Sequence, residues 1–164
     1  MLMSEPVVCS LPKPTGPVAL TDDLAVGPAP KNSTDFKALH DAGFRSIINN
    51  RPDSDSELTL SSGDCAAACA AAGLGHVHIP VEGQNPLEKD VRAFDRALRS
   101  LPKPVFAYCA SGGRSASLWA MTAVTEHDTA TIIQKCRDIG FDVSGLEKKL
   151  DMRRELIADE DDDE

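Results

Sequence analysis

The chain has 164 residues, 41% of them hydrophobic and 26% charged, the make-up of one soluble globular domain with a sizeable core. Its net charge is −9, and six of the negative charges lie in the closing stretch Asp159–Glu164, D-E-D-D-D-E, so the remainder is only mildly acidic. That balance argues against nucleic acid or an anionic membrane surface as a partner, and no apolar run approaches the roughly 18 residues needed to span a bilayer. The start, M-L-M-S-E-P-V-V-C-S, lacks the basic segment of a signal peptide. Cys9, Cys65, Cys69, Cys109 and Cys136 are odd in number and irregular in spacing. They read as reduced thiols of a cytoplasmic protein rather than as a disulfide framework.

In chain order, residues 1–17 are proline-rich and predict a flexible segment, followed by a single domain over 18–157 and an acidic disordered tail over 158–164. Val18–Val26 predicts one or two short strands, ended by Gly27-Pro28. Asn32 or Ser33 caps a helix through His40 or Ala42, with Phe36 and Leu39 on its apolar stripe and Gly43 at its stop. Ser46–Asn49 predicts a strand, followed by Asn50-Arg51-Pro52-Asp53 and a polar loop to Gly63. Asp64–Ala72 is an alanine-rich helix ending at Gly73. Cys65 and Cys69, four apart, share a face of that helix and read as small core residues.

His76–Val81 is the next predicted strand. His76 and His78 share one face, but no suitably spaced third ligand accompanies them, so they read as structural histidines. Leu87–Leu101 shows helical spacing at Val91, Phe94, Leu98 and Leu101. Val105–Tyr108 is a short buried strand, and Ser115–Thr125 carries Leu118, Trp119 and Met121 into the core. Asp128 or Thr129 caps a further helix to Gly140, and Ser144 a last one containing Leu146, Leu150 and Leu156. Strands that alternate with helices in this way predict an α/β fold. Its central, mainly parallel sheet has four to five strands with helices on both faces. Asn50-Arg51, Glu82-Gly83 and Cys109–Arg114 each follow a strand, so all three loops fall at the carboxyl rim where such sheets bind ligands.

The third of these loops carries the chemistry. Cys109-Ala110-Ser111-Gly112-Gly113-Arg114 joins a strand to a helix start, so its backbone N–H groups and the helix N-terminus form an anion cradle. Gly112 and Gly113 allow positive φ and close approach of the backbone to an anion. Cys109 lies in that positive field, which favours its reactive thiolate. Arg114 supplies a planar fork for an oxyanion, and Ser115 caps the helix or donates to the thiolate.

The spacing Cys-x-x-Gly-x-Arg-Ser resembles the active loop of rhodanese sulfurtransferases. It also resembles the cradle of protein tyrosine and dual-specificity phosphatases, which place five residues between Cys and Arg. The Asp-Val-Arg and Gly-His-Ile-x-Gly-Ala segments of rhodaneses are missing. Instead the chain has Gly43-Phe44-Arg45-Ser46-Ile47-Ile48-Asn49-Asn50-Arg51-Pro52-Asp53 and Ala72-Gly73-Leu74-Gly75-His76-Val77-His78-Ile79-Pro80-Val81, both ahead of the Cys109 loop. In order and spacing, over roughly Leu20–Thr125, this set resembles the phosphatase-like domain of the beta-lactamase hydrolase-like proteins. The resemblance implies a dual-specificity-phosphatase-like fold, with Cys109 as nucleophile, Arg114 as oxyanion clamp and Ser115 as thiolate partner. It also makes Pro80–Pro86 similar to the loop that carries the phosphatase general acid, with Glu82 in that place and Glu88 and Asp90 as further candidates. Ala110, Ser111, Gly112, Gly113, Asn50 and Arg51 are the expected substrate-binding residues. Two departures are Tyr108, where tyrosine phosphatases have His, and the loop shorter by one residue.

Three functions are therefore expected to compete. The first is a cysteine-dependent phosphatase acting on phosphomonoesters through a phosphocysteine. The second is a sulfurtransferase that carries sulfur as a Cys109 persulfide, for which a narrower cradle is suited. The third is a non-catalytic anion- or protein-binding module. The substrate would be a phosphorylated or sulfane-sulfur small molecule or protein, and none of the three requires a metal or organic cofactor.

Overall fold

The computed structural model describes residues 14–83 and 85–162, so Cys9 and most of the expected flexible segment lie outside the described residues. Five strands form one sheet: β1 (Val18–Ala19), β2 (Leu24–Pro28), β3 (Ser46–Asn49), β4 (Gly75–His78) and β5 (Val105–Cys109). Their order across the sheet is β1-β2-β5-β3-β4, with only the β1–β2 pair antiparallel. β5, whose end bears Cys109, thus lies in the middle, with Pro28 beside Cys109 and Asn49 beside Tyr108.

Side-chain alternation divides the interior into two cores. Ala25, Ile47, Phe106 and Tyr108 face one side of the sheet, where α1 (Ser33–Asp41) and α2 (Ser62–Ala72) bring Phe36, Leu39, Cys65 and Cys69. Leu24, Val26, Ile48, Val105 and Ala107 face the other. There α3 (Glu88–Ser100), α4 (Gly113–Thr122), α5 (Thr129–Asp138) and α6 (Glu147–Asp162) close the larger core. Strands buried on both faces are what helices on both sides of a parallel sheet demand.

The caps follow local chemistry. Asn32 accepts from the Asp35 N–H while Asp35 accepts from the Asn32 N–H, a reciprocal box at the start of α1, and Ser61 with Asp64 repeats it for α2. Asp128 accepts from Thr131 at the start of α5.

Several boundaries differ from the sequence reading. β2 runs through Gly27 and Pro28 rather than stopping before them. β1 pairs only with Ala25 and Val26, so the N–H that Pro28 lacks has no partner to lose on that side. β4 ends at His78 instead of Val81, because Pro80 cannot donate, although Ile79 and Val81 still bond to Asn49 and Asn50. The last helix begins at Glu147, after a 3-10 turn over Ser144–Leu146, so Ser144 does not cap it directly. It continues to Asp162 and so takes in residues 158–162 of the expected acidic tail. Among the described residues no helix is long and apolar enough to cross a membrane.

Candidate active site

The cradle forms where β5 gives way to α4. Cys109 ends the strand, three loop residues turn, and α4 starts at Gly113 with Gly112 as its N-cap at φ +111°. The Gly112 N–H donates to the Cys109 Sγ at 3.1 Å. That bond ties the loop back onto the end of β5 and places the sulfur at the N-terminus of α4. Gly112 is obligatory on two counts. Its φ lies in the left-handed region, and a Cβ there would stand 2.7 Å from the Phe141 ring and 2.9 Å from Gly27 Cα.

Arg114, on the first turn of α4, is largely buried, and its fork is fully oriented. It donates to both carboxylate oxygens of Asp55, at 3.2 and 2.7 Å, and to the Val81 carbonyl at 2.9 Å. Asp55 in turn accepts from Arg51 at 3.2 Å. The hydrogen bonds from Arg114 hold the Asp55 carboxyl below the usual carboxylate range, and Arg51 pulls the same way. Asp55 and, secondarily, Cys109 raise the affinity of Arg114 for its proton. Asp55 was not among the residues the sequence singled out. The available signal was its place on a rim loop after a parallel strand, together with the need of a largely buried arginine for a carboxylate.

Several expected roles shift. The Ser115 hydroxyl donates to Asn50 Oδ1 at 2.8 Å rather than to the thiolate, and Gly112, not Ser115, caps α4. Asn50 is fully buried, with its amide donating to the Ile79 carbonyl at 2.8 Å. Arg51 donates to Asp55 and to the Ser56 carbonyl, and its own carbonyl meets His78 Nε2 at 2.9 Å. Asn50 and Arg51 therefore brace the rim through these internal hydrogen bonds. Ala110 and Ser111 lie in the cradle turn as expected.

Glu82 is exposed on the segment between β4 and α3, one residue after the carbonyl that receives Arg114. Glu88 is engaged elsewhere: Arg153 grips it at 3.1 and 3.0 Å, and Arg92 adds a contact at 2.8 Å. Asp90 lies in the first turn of α3, on the helix that carries Glu88. Cys65 and Cys69 are buried core thiols, with Cys65 accepting from the Tyr108 hydroxyl at 2.8 Å. Among the described residues no three His, Cys, Asp or Glu side chains gather in a way that could hold a metal ion.

Residues 18–125 match the family of the beta-lactamase hydrolase-like protein, phosphatase-like domain. The chain belongs to that family. The matched stretch of this phosphatase-like domain takes in β1 through α4 and so the whole cradle. Beta-lactamase hydrolase-like proteins of Agrobacterium fabrum and Xylella fastidiosa are similar to it. They are 38% identical over 87 residues and 34% identical over 109, which is 53% and 66% of this chain. The matches span only 20% and 25% of those relatives, so the chain corresponds to about a quarter of their length or less. Among solved structures, a phosphatase candidate from Neisseria meningitidis superposes with a TM-score of 0.73 at 27% identity, covering 83% of this chain and 96% of that one. The catalytic core of Siw14, a PP-IP phosphatase of Saccharomyces cerevisiae, gives 0.64 at 14% identity over 93% and 96% of the two chains. Such distant likeness establishes the shared phosphatase fold of this phosphatase-like domain.

Proposed function

We propose that the domain is a cysteine-dependent phosphatase acting on phosphomonoesters. The observation that carries the reading is the pairing of Cys109 Sγ with the Gly112 N–H in a cradle whose arginine is held by Asp55. The Cys109 thiolate attacks phosphorus in line and forms an S–P bond as the ester P–O bond breaks. The loop amides from Ala110 to Gly113 and the Arg114 N–H groups not already held by Asp55 and Val81 stabilise charge on the equatorial oxygens. Glu82 gives its proton to the leaving oxygen. It then takes one from the water that attacks the phosphocysteine, which releases inorganic phosphate and restores the thiolate. The Val81–Arg114 hydrogen bond keeps the backbone next to Glu82 at the rim of the cradle, which supports Glu82 for this role over the ion-paired Glu88. Asn50 and Ser115 act as positioning residues that tie β3 to α4.

The shorter loop favours persulfide chemistry as the second reading, and one experiment separates the two. Hydrolysis of p-nitrophenyl phosphate and of an alkyl phosphate is measured beside thiosulfate-to-cyanide sulfur transfer, with the mass of trapped Cys109 read in each. A phosphate adduct, together with a Glu82→Gln variant that slows the alkyl ester by about 10²–10⁴-fold and the nitrophenyl ester far less, is the expected result. A sulfur adduct with no ester cleavage sinks the phosphatase reading. Ligand binding without either turnover leaves the non-catalytic module.

A further inference from the structure

A second charged concavity lies at the far end of α4 from the cradle. It is a groove of about 390 Å³ between α3, α6 and the end of α4, lined by Arg92, Arg96, Arg99, Thr122, Thr125 and Glu160 among others. Its volume falls within the usual range for small-ligand pockets. The length of α4 puts it about 15 Å from the cradle.

Three of its arginines come from one helix at positions i, i+4 and i+7, so they stand in a row on one face of α3. Successive guanidinium groups leave the helix at about 4.5–6 Å intervals along its axis. Clustering of this kind is costly unless anions neutralise it, and the protein neutralises it only in part. Arg92 pairs with Glu88 and with Glu160 at 2.8 Å each, and Arg99 pairs with Asp95 at 3.1 Å. The Arg96 side chain has no hydrogen bond or ion pair among the described residues, although it lines the groove. Arg153 is clamped by Glu88 and the Met121 carbonyl, which makes that wall rigid. Glu160, from the acidic end of α6, thus shows the chemistry the groove accepts: a carboxylate held by the first arginine of the row.

We propose that this groove is a second anion site, separate from the cradle, which takes a small ligand bearing two or more phosphoryl or carboxylate groups. One group displaces the Glu160 carboxylate from Arg92, and the next reaches Arg96. The planar forks of arginine suit both kinds of group.

The test is calorimetric titration of tripolyphosphate, and separately of citrate, into the full chain and three variants. Arg114→Lys weakens the cradle, Arg96→Ala weakens the groove, and Glu160→Gln removes the internal competitor. Arg96 is exposed and makes no ion pair among the described residues, so its loss leaves the fold intact, which circular dichroism verifies. Binding of at least one anion is expected to persist in Arg114→Lys, to weaken about tenfold in Arg96→Ala and to tighten up to about fivefold in Glu160→Gln. Whichever anion binds more tightly names the preferred group. Binding that vanishes with Arg114→Lys, or that ignores Arg96→Ala, overturns the proposal. So does groove binding of a D-E-D-D-D-E peptide with neither small anion bound, which would assign the groove to an acidic protein segment.

Discussion

At the scale of single residues, the four described cysteines share burial but not surroundings. Desolvation pushes the Cys69 and Cys136 thiols up to about 12, and pushes Cys65 up as well. Cys109 differs in surroundings, since its sulfur accepts the Gly112 N–H at the start of α4. Iodoacetate near pH 6, whose own carboxylate suits the cradle, is therefore expected to alkylate Cys109 well before Cys65, Cys69 or Cys136, with phosphate protecting it. Equal rates in a peptide-mapped time course would remove the activated thiol from the account. Asp55 invites a second test. Its pKa is lowered in the folded protein, so the stability it confers is present above about 3.8 and is lost as pH falls through the lower folded value. Asp55→Asn should cost about 1–3 kcal/mol at pH 7, since it leaves a largely buried guanidinium short of its acceptor. Urea titrations at pH 7 and pH 3.5 check the sign, because the gap between the two proteins should narrow at the lower pH.

At the scale of elements, the strand–loop–helix around Cys109 was readable because its residue types are local requirements. An apolar β-rich run, two glycines and a helix start each constrain the backbone within a few residues. The same holds for the asparagine box that opens α1, whereas the Ser61 box of α2 went unread and that helix starts at Ser62 rather than Asp64. What the sequence did not yield depends on partners far along the chain. The 3.2 and 2.7 Å bonds from Arg114 to Asp55 cross 59 positions, and the Ser115–Asn50 bond crosses 65. No periodicity reports a contact between two loops, so the bracing bonds of Asn50 and Arg51 could not be read from the sequence. The run of β2 through Pro28 likewise depends on how far its neighbour β1 extends. Gly112 joins the two kinds of constraint. Gly112→Ala imposes a left-handed backbone on alanine, about 1–2 kcal/mol, and drives its Cβ into Phe141. Adding Phe141→Leu should recover part of the lost melting temperature but not the backbone share. Full recovery would mean that φ at this position is not under strain.

At the scale of the molecule, the phosphatase-like match stops at residue 125, yet the fold does not. Phe141 reaches back from beyond it to pack on Gly112 and Gly113, and Ile132, Cys136, Leu146 and Leu150 complete the larger core. The cradle is thus held between two cores. Each contains free thiols: Cys65 and Cys69 between α1, α2 and the sheet, and Cys136 under α5. This distribution has a consequence for alkaline stability. A thiol whose folded pKa is raised keeps its proton in the native state after the unfolded chain has lost it. The native state then binds more protons than the unfolded state, so stability falls as pH rises from about 9 towards 12. Cys69 and Cys136 each add up to about 1.4 kcal/mol per pH unit to that slope. Urea midpoints taken from pH 8 to pH 10.5 should drop steadily in the parent protein. A Cys69→Ala/Cys136→Ala variant starts lower, because two buried sulfurs are gone, but its slope should be distinctly flatter. The slope that remains belongs to Cys65 and to Tyr108, both of which burial pushes up and which share one hydrogen bond. Parallel slopes in the two proteins would show that the thiols ionise before unfolding, and that water reaches both cores while the sheet stays intact.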